Sequence, residues 1–166
     1  MSPPIRKFVL TAHISFSVGW LGAAAAYFAL DWTAATSRDV QMLRGAWIAM
    51  GSITSQVIVP LALLSLLTGL VISLGTKWGL FRHWWVLISL LLTLFAVLVL
   101  LSESGHISRA AAIAADPAAS AEAILTLPNT LPHSIGGIVV LLVIQTMNVY
   151  KPRGLTAYGW RMQQRE

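Results

Sequence analysis

Four apolar runs constrain this chain before anything else does. They cover about residues 8–30, 48–74, 84–102 and 133–150, and none of them contains an Asp, Glu, Lys or Arg. A helix rises about 1.5 Å per residue, so roughly 20 apolar residues cross a bilayer core of about 30 Å. Each run is therefore long enough to span, or within a turn of it. Composition agrees: 57% of the chain is hydrophobic and only 10% is charged, where soluble domains carry about 25% charged residues. The pattern predicts an all-α polytopic membrane protein, a four-transmembrane-helix bundle forming a single integral domain over 1–166. Its first partner is the lipid bilayer. There is no cysteine, which excludes disulfides, thiolate metal sites and cysteine nucleophiles.

Taken in order, Arg6-Lys7 precedes the first run as it would in a signal peptide. The run is too long for an h-region and its Ala23–Ala26 tract lies in its middle, so it reads as a retained span. Asp31 to Asp39 reads as a short polar turn, with Asp39 or Ser37 as the cap of the second helix. That helix should run from about Val40 to Gly75, interrupted by Gln56 and Pro60, since a mid-helix proline frees a carbonyl and bends the axis. Gly75 to His83 is a tight basic loop, and Trp84-Trp85 opens the third span at an interface. The outer loop, 103–131, is the only sizeable extramembrane segment. Its alanine-rich start extends the third helix until Asp116-Pro117 stops it, and a short helix over Ala118 to Leu125 fits before the fourth span.

Charge sets the orientation. Eight of the eleven basic residues (Arg6, Lys7, Lys77, Arg82, Lys151, Arg153, Arg161 and Arg165) fall on the side of both termini. Arg38, Arg44 and Arg109 lie on the other side, beside Asp31, Asp39, Glu103, Asp116 and Glu122. By the positive-inside rule both termini are cytoplasmic and the protein is a multi-pass component of the plasma membrane. The net charge of +5 sits next to the spans, where it meets anionic lipid rather than nucleic acid. The basic, aromatic tail reads as an anchor on the inner membrane surface.

Chemistry-bearing residues are few. The histidines sort into an inner pair, His13 and His83, and an outer pair, His106 and His133. Two imidazoles from different helices can bind haem b or a copper ion. The outer pair is the cofactor candidate, with Arg44 placed to meet an acidic group such as a haem propionate. The inner pair is the metal candidate. Each histidine also has a plain structural role open to it, in packing or at an interface. At about 100° per residue, His13, Ser17, Trp20 and Ala24 share one face of the first helix, and Ser15, Gly19, Gly22 and Ala26 share the opposite one. The small face suits a close helix neighbour, either within the bundle or in a homo-oligomer or another membrane protein. Gly136-Gly137 leaves space beside His133. No Gly-x-Ser-x-Gly, His-Glu-x-x-His or P-loop is present, and no carboxylate is expected inside a span,.

Two stretches carry a resemblance. The tail Tyr150-Lys151-Pro152-Arg153-Gly154 with Tyr158-Gly159-Trp160-Arg161 is similar to the ending of an uncharacterised four-span family common in actinobacteria. His13 followed by Trp20 and Gly22 resembles, more weakly, the opening of copper-resistance D-type membrane domains. The first resemblance implies a bacterial integral membrane protein and brings no catalytic residues. Two readings stand: an accessory, structural or interaction protein rather than an enzyme, and a redox or metal-handling protein holding haem b or copper.

Overall fold

The computed structural model describes residues 1–76 and 78–164, so Lys77, Arg165 and Glu166 of the charge count lie outside the described residues. The described chain is all-α. Its elements are α1 (Pro3–Thr36), α2 (Val40–Ile53), a π-helical segment (Thr54–Ile58), α3 (Val59–Gly75), α4 (Trp84–Ala115), α5 (Ala121–Leu125), α6 (Leu131–Tyr150) and α7 (Ala157–Gln163). The segment from α2 through α3 forms one continuous 36-residue span, and with α1, α4 and α6 it completes four helices long and apolar enough to cross a membrane. Large apolar side chains such as Phe8, Leu67, Leu74, Leu98 and Val139 stand exposed along all four. In water such surfaces would aggregate; in lipid they are solvated. This is a multi-pass membrane bundle.

The four spans pack as a ring. Neighbours along the chain touch, and α1 closes the ring against α6, while α1 stays clear of α4 and α3 stays clear of α6. Space is thereby left on the axis. How it is filled differs between the two ends. At the acidic end, α1 contributes Trp20, Ala23 and Tyr27, α2 contributes Leu43, Trp47 and Met50, and α4 contributes Ile107, Ala110 and Ala114. These recur every three or four residues, the spacing that puts side chains on one helical face. At the basic end α3 buries only Ala62 and Ser65. Small side chains there leave the axis hollow.

Three local features depart from the expected reading. The polar turn expected from Asp31 is helix: α1 runs on to Thr36, and Asp31 is buried on its inner face. The interruption at Gln56 and Pro60 is a π-turn, with the Val59 N–H bonded to Thr54 O. Proline at 60 has no N–H to offer, and its ring would collide with the carbonyl four residues back; widening the preceding turn removes that collision without breaking the span. The tail also packs against the start of α4. Thr156 N–H donates to Arg82 O, Trp84 N–H donates to Gly154 O, and Leu155 bridges His83. Gly159 sits so close to the Arg82 carbonyl that a Cβ would collide with it. Tyr158 and Trp160 remain exposed, as interfacial anchors would be.

Other expectations held. Asp39 caps α2 through Gln41 N and Met42 N, and α4 ends at Ala115, immediately before Asp116-Pro117. The short loop helix forms over Ala121–Leu125, capped by Ser120.

Candidate functional site

Two cavities lie end to end on the bundle axis. The larger, about 640 Å³, opens at the basic end between α1, α3, α4 and α6. Arg6, Lys7 and Lys151 stand along it, and Lys151 Nζ also lies 5.6 Å from the centre of the Trp78 ring. Further in, hydroxyls and amides face the space: Ser17, Ser65, Ser89, Gln145 and Asn148. The Ser89 hydroxyl is buried and has no hydrogen-bond partner. Most of the remaining wall is leucine, isoleucine, valine and tryptophan, with Ser73, Thr76 and Thr93 among them. A charged rim over an apolar body with a few hydroxyls matches an amphiphile better than it matches a simple ion.

His13 belongs to this cavity. Its Nδ1 lies 3.1 Å from Ser65 O and 3.1 Å from Thr68 Oγ1. A carbonyl only accepts, so Nδ1 carries the proton. The ring lies against Gly69, where a Cβ would come within 3.1 Å of His13 Cε1 and press the imidazole aside by a few tenths of an ångström. Ser17 extends the contact, donating to His13 O at 2.7 Å and meeting Ser65 Oγ at 2.8 Å. The histidine face of α1 therefore looks inward, onto α3. The small face looks outward: Ser15, Gly22 and Ala26 are exposed, and Gly19 alone packs, against Leu61.

The other predicted residues lie elsewhere. His83 starts α4, with Nδ1 2.7 Å from Trp78 O and its ring edge-on to Trp78, and it does not line the cavity that holds His13. His133 is half exposed, with Nε2 4.0 Å from Glu103 Oε1. His106 is exposed on α4 and does not line the cavity that His133 lines. Arg44 is committed to the backbone. Its guanidinium donates to Ala114 O at 2.8 Å, Asp116 O at 2.7 Å and Ala119 O at 2.6 Å, closing the carbonyl end of α4 onto the loop. No group of three or more His, Asp or Glu among the described residues is placed to hold a metal ion.

The second cavity, about 310 Å³, lies toward the acidic end between α1, the π-segment, α4 and α6. Trp20 and Leu141 line both cavities, so these two side chains form the partition. Beside the second cavity is the polar cluster that sequence reasoning missed. Asp31, 1% exposed, accepts from Thr130 Oγ1 at 2.7 Å and from Ser134 Oγ at 2.6 Å, tying α1 to the start of α6. A signal for it existed. Continuing the inward face of α1 past Ala24 by three and seven residues reaches Tyr27 and Asp31, and Thr130 and Ser134 stand four apart on the facing helix.

No family model matches the chain, and no characterised protein and no solved structure is detectably similar to it.

Proposed function

We propose that this is a small accessory protein of the bacterial plasma membrane, with both termini cytoplasmic. In this reading it works by binding rather than by catalysis, and its bundle holds an amphipathic ligand with an anionic head. The kinship with the four-span actinobacterial family suggested by the tail belongs to the same proposal. The observation that carries the reading is the basic-end cavity. Its wall is mostly apolar, its inner hydroxyls include one left unpaired, and Arg6, Lys7 and Lys151 stand along it. The alternative with haem b or copper draws no comparable support, because His106 and His133 share no cavity and Arg44 is spent on backbone carbonyls.

The test is binding of dansyl-undecanoate, a fluorescent anionic amphiphile, to the protein in nanodiscs of zwitterionic lipid. Saturable binding is expected above that of empty discs. Each cation near a lipid head contributes about 1 kcal/mol, so the triple variant Arg6→Gln, Lys7→Gln, Lys151→Asn should bind roughly tenfold more weakly or worse. Asparagine suits position 151 because Lys151 has a left-handed backbone, φ 47°,. Displacement by oleate or by phosphatidylglycerol distinguishes a single-chain ligand from a phospholipid. Equal affinity in the triple variant would overturn the reading.

A further inference from the structure

The acidic-end cavity has a chemistry of its own, independent of what fills the basic end. Its walls are largely apolar and include three aromatic rings, Trp20, Tyr27 and Phe95. Two hydroxyls that line it, Tyr27 Oη and Thr54 Oγ1, have no hydrogen-bond partner, although Tyr27 is 7% exposed and Thr54 is 1% exposed. Tyr27 Oη lies near Thr130, whose hydroxyl donates to Asp31, but no partner stands within hydrogen-bonding geometry of it. Buried polar atoms are rarely left unpaired, and two in one cavity indicate a missing partner. Thr54 is the first residue of the π-turn, and its carbonyl accepts from Val59 N–H,.

Charge selects the partner. The Glu103 carboxylate lines the cavity, with Asp31 buried just behind its Thr130 and Ser134 wall. Among the described residues no lysine or arginine lines it. His133 stands at Glu103, half exposed, 4.0 Å away. An anion would face Glu103 across apolar walls. A bare metal ion would find one lining carboxylate, too few oxygen donors for a hard cation. A neutral apolar molecule would leave both hydroxyls unpaired. An organic ammonium meets each requirement: its N–H groups donate to Glu103 and the two hydroxyls, and its cation and apolar body lie against aromatic faces. Room exists beside Gly136 and Gly137, where an added Cβ would meet nothing within 4 Å.

We propose that this cavity is a binding site for a small primary organic ammonium, whose three N–H groups match the three acceptors, with an apolar, aromatic-sized body. The probe is radiolabelled 2-phenylethylamine, protonated at neutral pH, in equilibrium dialysis against the full chain in zwitterionic nanodiscs. Saturable binding above empty discs is expected. Propylbenzene, which has the same shape without the charge, should fail to displace it. Glu103→Gln should weaken binding at least tenfold. Tyr27→Phe and Thr54→Val, which each remove one hydroxyl, should weaken it severalfold, and Gly137→Leu should abolish it by filling the space. Leu67→Ala, an exposed position that lines neither cavity, should bind as the parent does, and because the amine is assayed without the amphiphile, failure here and failure of the anionic-amphiphile reading are separable. Circular dichroism of each variant confirms the fold; if Glu103→Gln does not fold, the two hydroxyl variants carry the test. Absence of saturable binding, displacement by propylbenzene as effective as by unlabelled amine, or parent-like binding in the folded Glu103 and hydroxyl variants would overturn the proposal.

Discussion

Replacing Asp31 probes the contact that closes the ring of helices. The Asp31→Leu variant removes both acceptors, but the two donors lose unequally. Ser134 Oγ already has a second acceptor, Leu131 O at 3.0 Å, and keeps it. Thr130, 6% exposed, has Asp31 as its acceptor, and stranding a buried hydroxyl costs about 1–3 kcal/mol. The neighbouring Tyr27 hydroxyl can take up part of that loss, so a coupling of ~1–2 kcal/mol is expected between positions 31 and 130. Interhelical hydrogen bonds in lipid average only ~0.6 kcal/mol, because the unfolded helices find other partners. This one should exceed that average because the acceptor is a carboxylate and both ends are buried. The assay is a pair of double-mutant cycles, Asp31→Leu with Thr130→Val and with Ser134→Ala, measured by equilibrium unfolding in mixed micelles with added SDS. The 31–130 coupling should be clearly larger than the 31–134 coupling. Additive behaviour at 31 and 130, or the reverse order, would refute the reasoning.

Arg44→Met should destabilise the bundle by ~2–4 kcal/mol, since three carbonyls lose a charged donor. Arg44→Lys should recover little of this because an ammonium cannot span the three acceptors as the guanidinium fork does; faster proteolysis in the 116–130 loop and a lowered Tm report both effects. Gly51→Val should cost about 1–3 kcal/mol by overpacking, because a Cβ there would lie 2.5 Å from Ala111 Cβ. The companion change Ala111→Gly should restore much of the loss in the same unfolding assay. Orientation is tested on this cysteine-free chain by placing one cysteine at Ala119, which should react with an impermeant thiol reagent from outside the cell and stay protected from the cytoplasmic side.

Span number, helical class and the segregation of basic from acidic segments could be read from residue order. They depend on local sums: the hydropathy of some 20 consecutive residues, the proline at 117 and the cap at 39. The inward face of α1 was half legible, through the spacing of His13, Ser17 and Trp20. Asp31 was misread as the start of a turn because a carboxylate at the end of an apolar run ordinarily marks the water interface. Nothing local announces that Thr130 and Ser134, about a hundred positions later, will meet it. Arg44 went astray for the same reason, since the carbonyls it serves belong to the end of another helix and the loop beyond it. The tail's attachment to residues 81–84 is likewise a pairing between distant segments. The cavities were the least legible of all. They exist because α1 and α4, and α3 and α6, stand apart across the ring, while small residues such as Ser65, Gly69 and Ser89 leave the axis unfilled. Volume on the axis is set by which faces oppose one another, and that is decided only when four helices, each acceptable to lipid alone, find their mutual rotation and register.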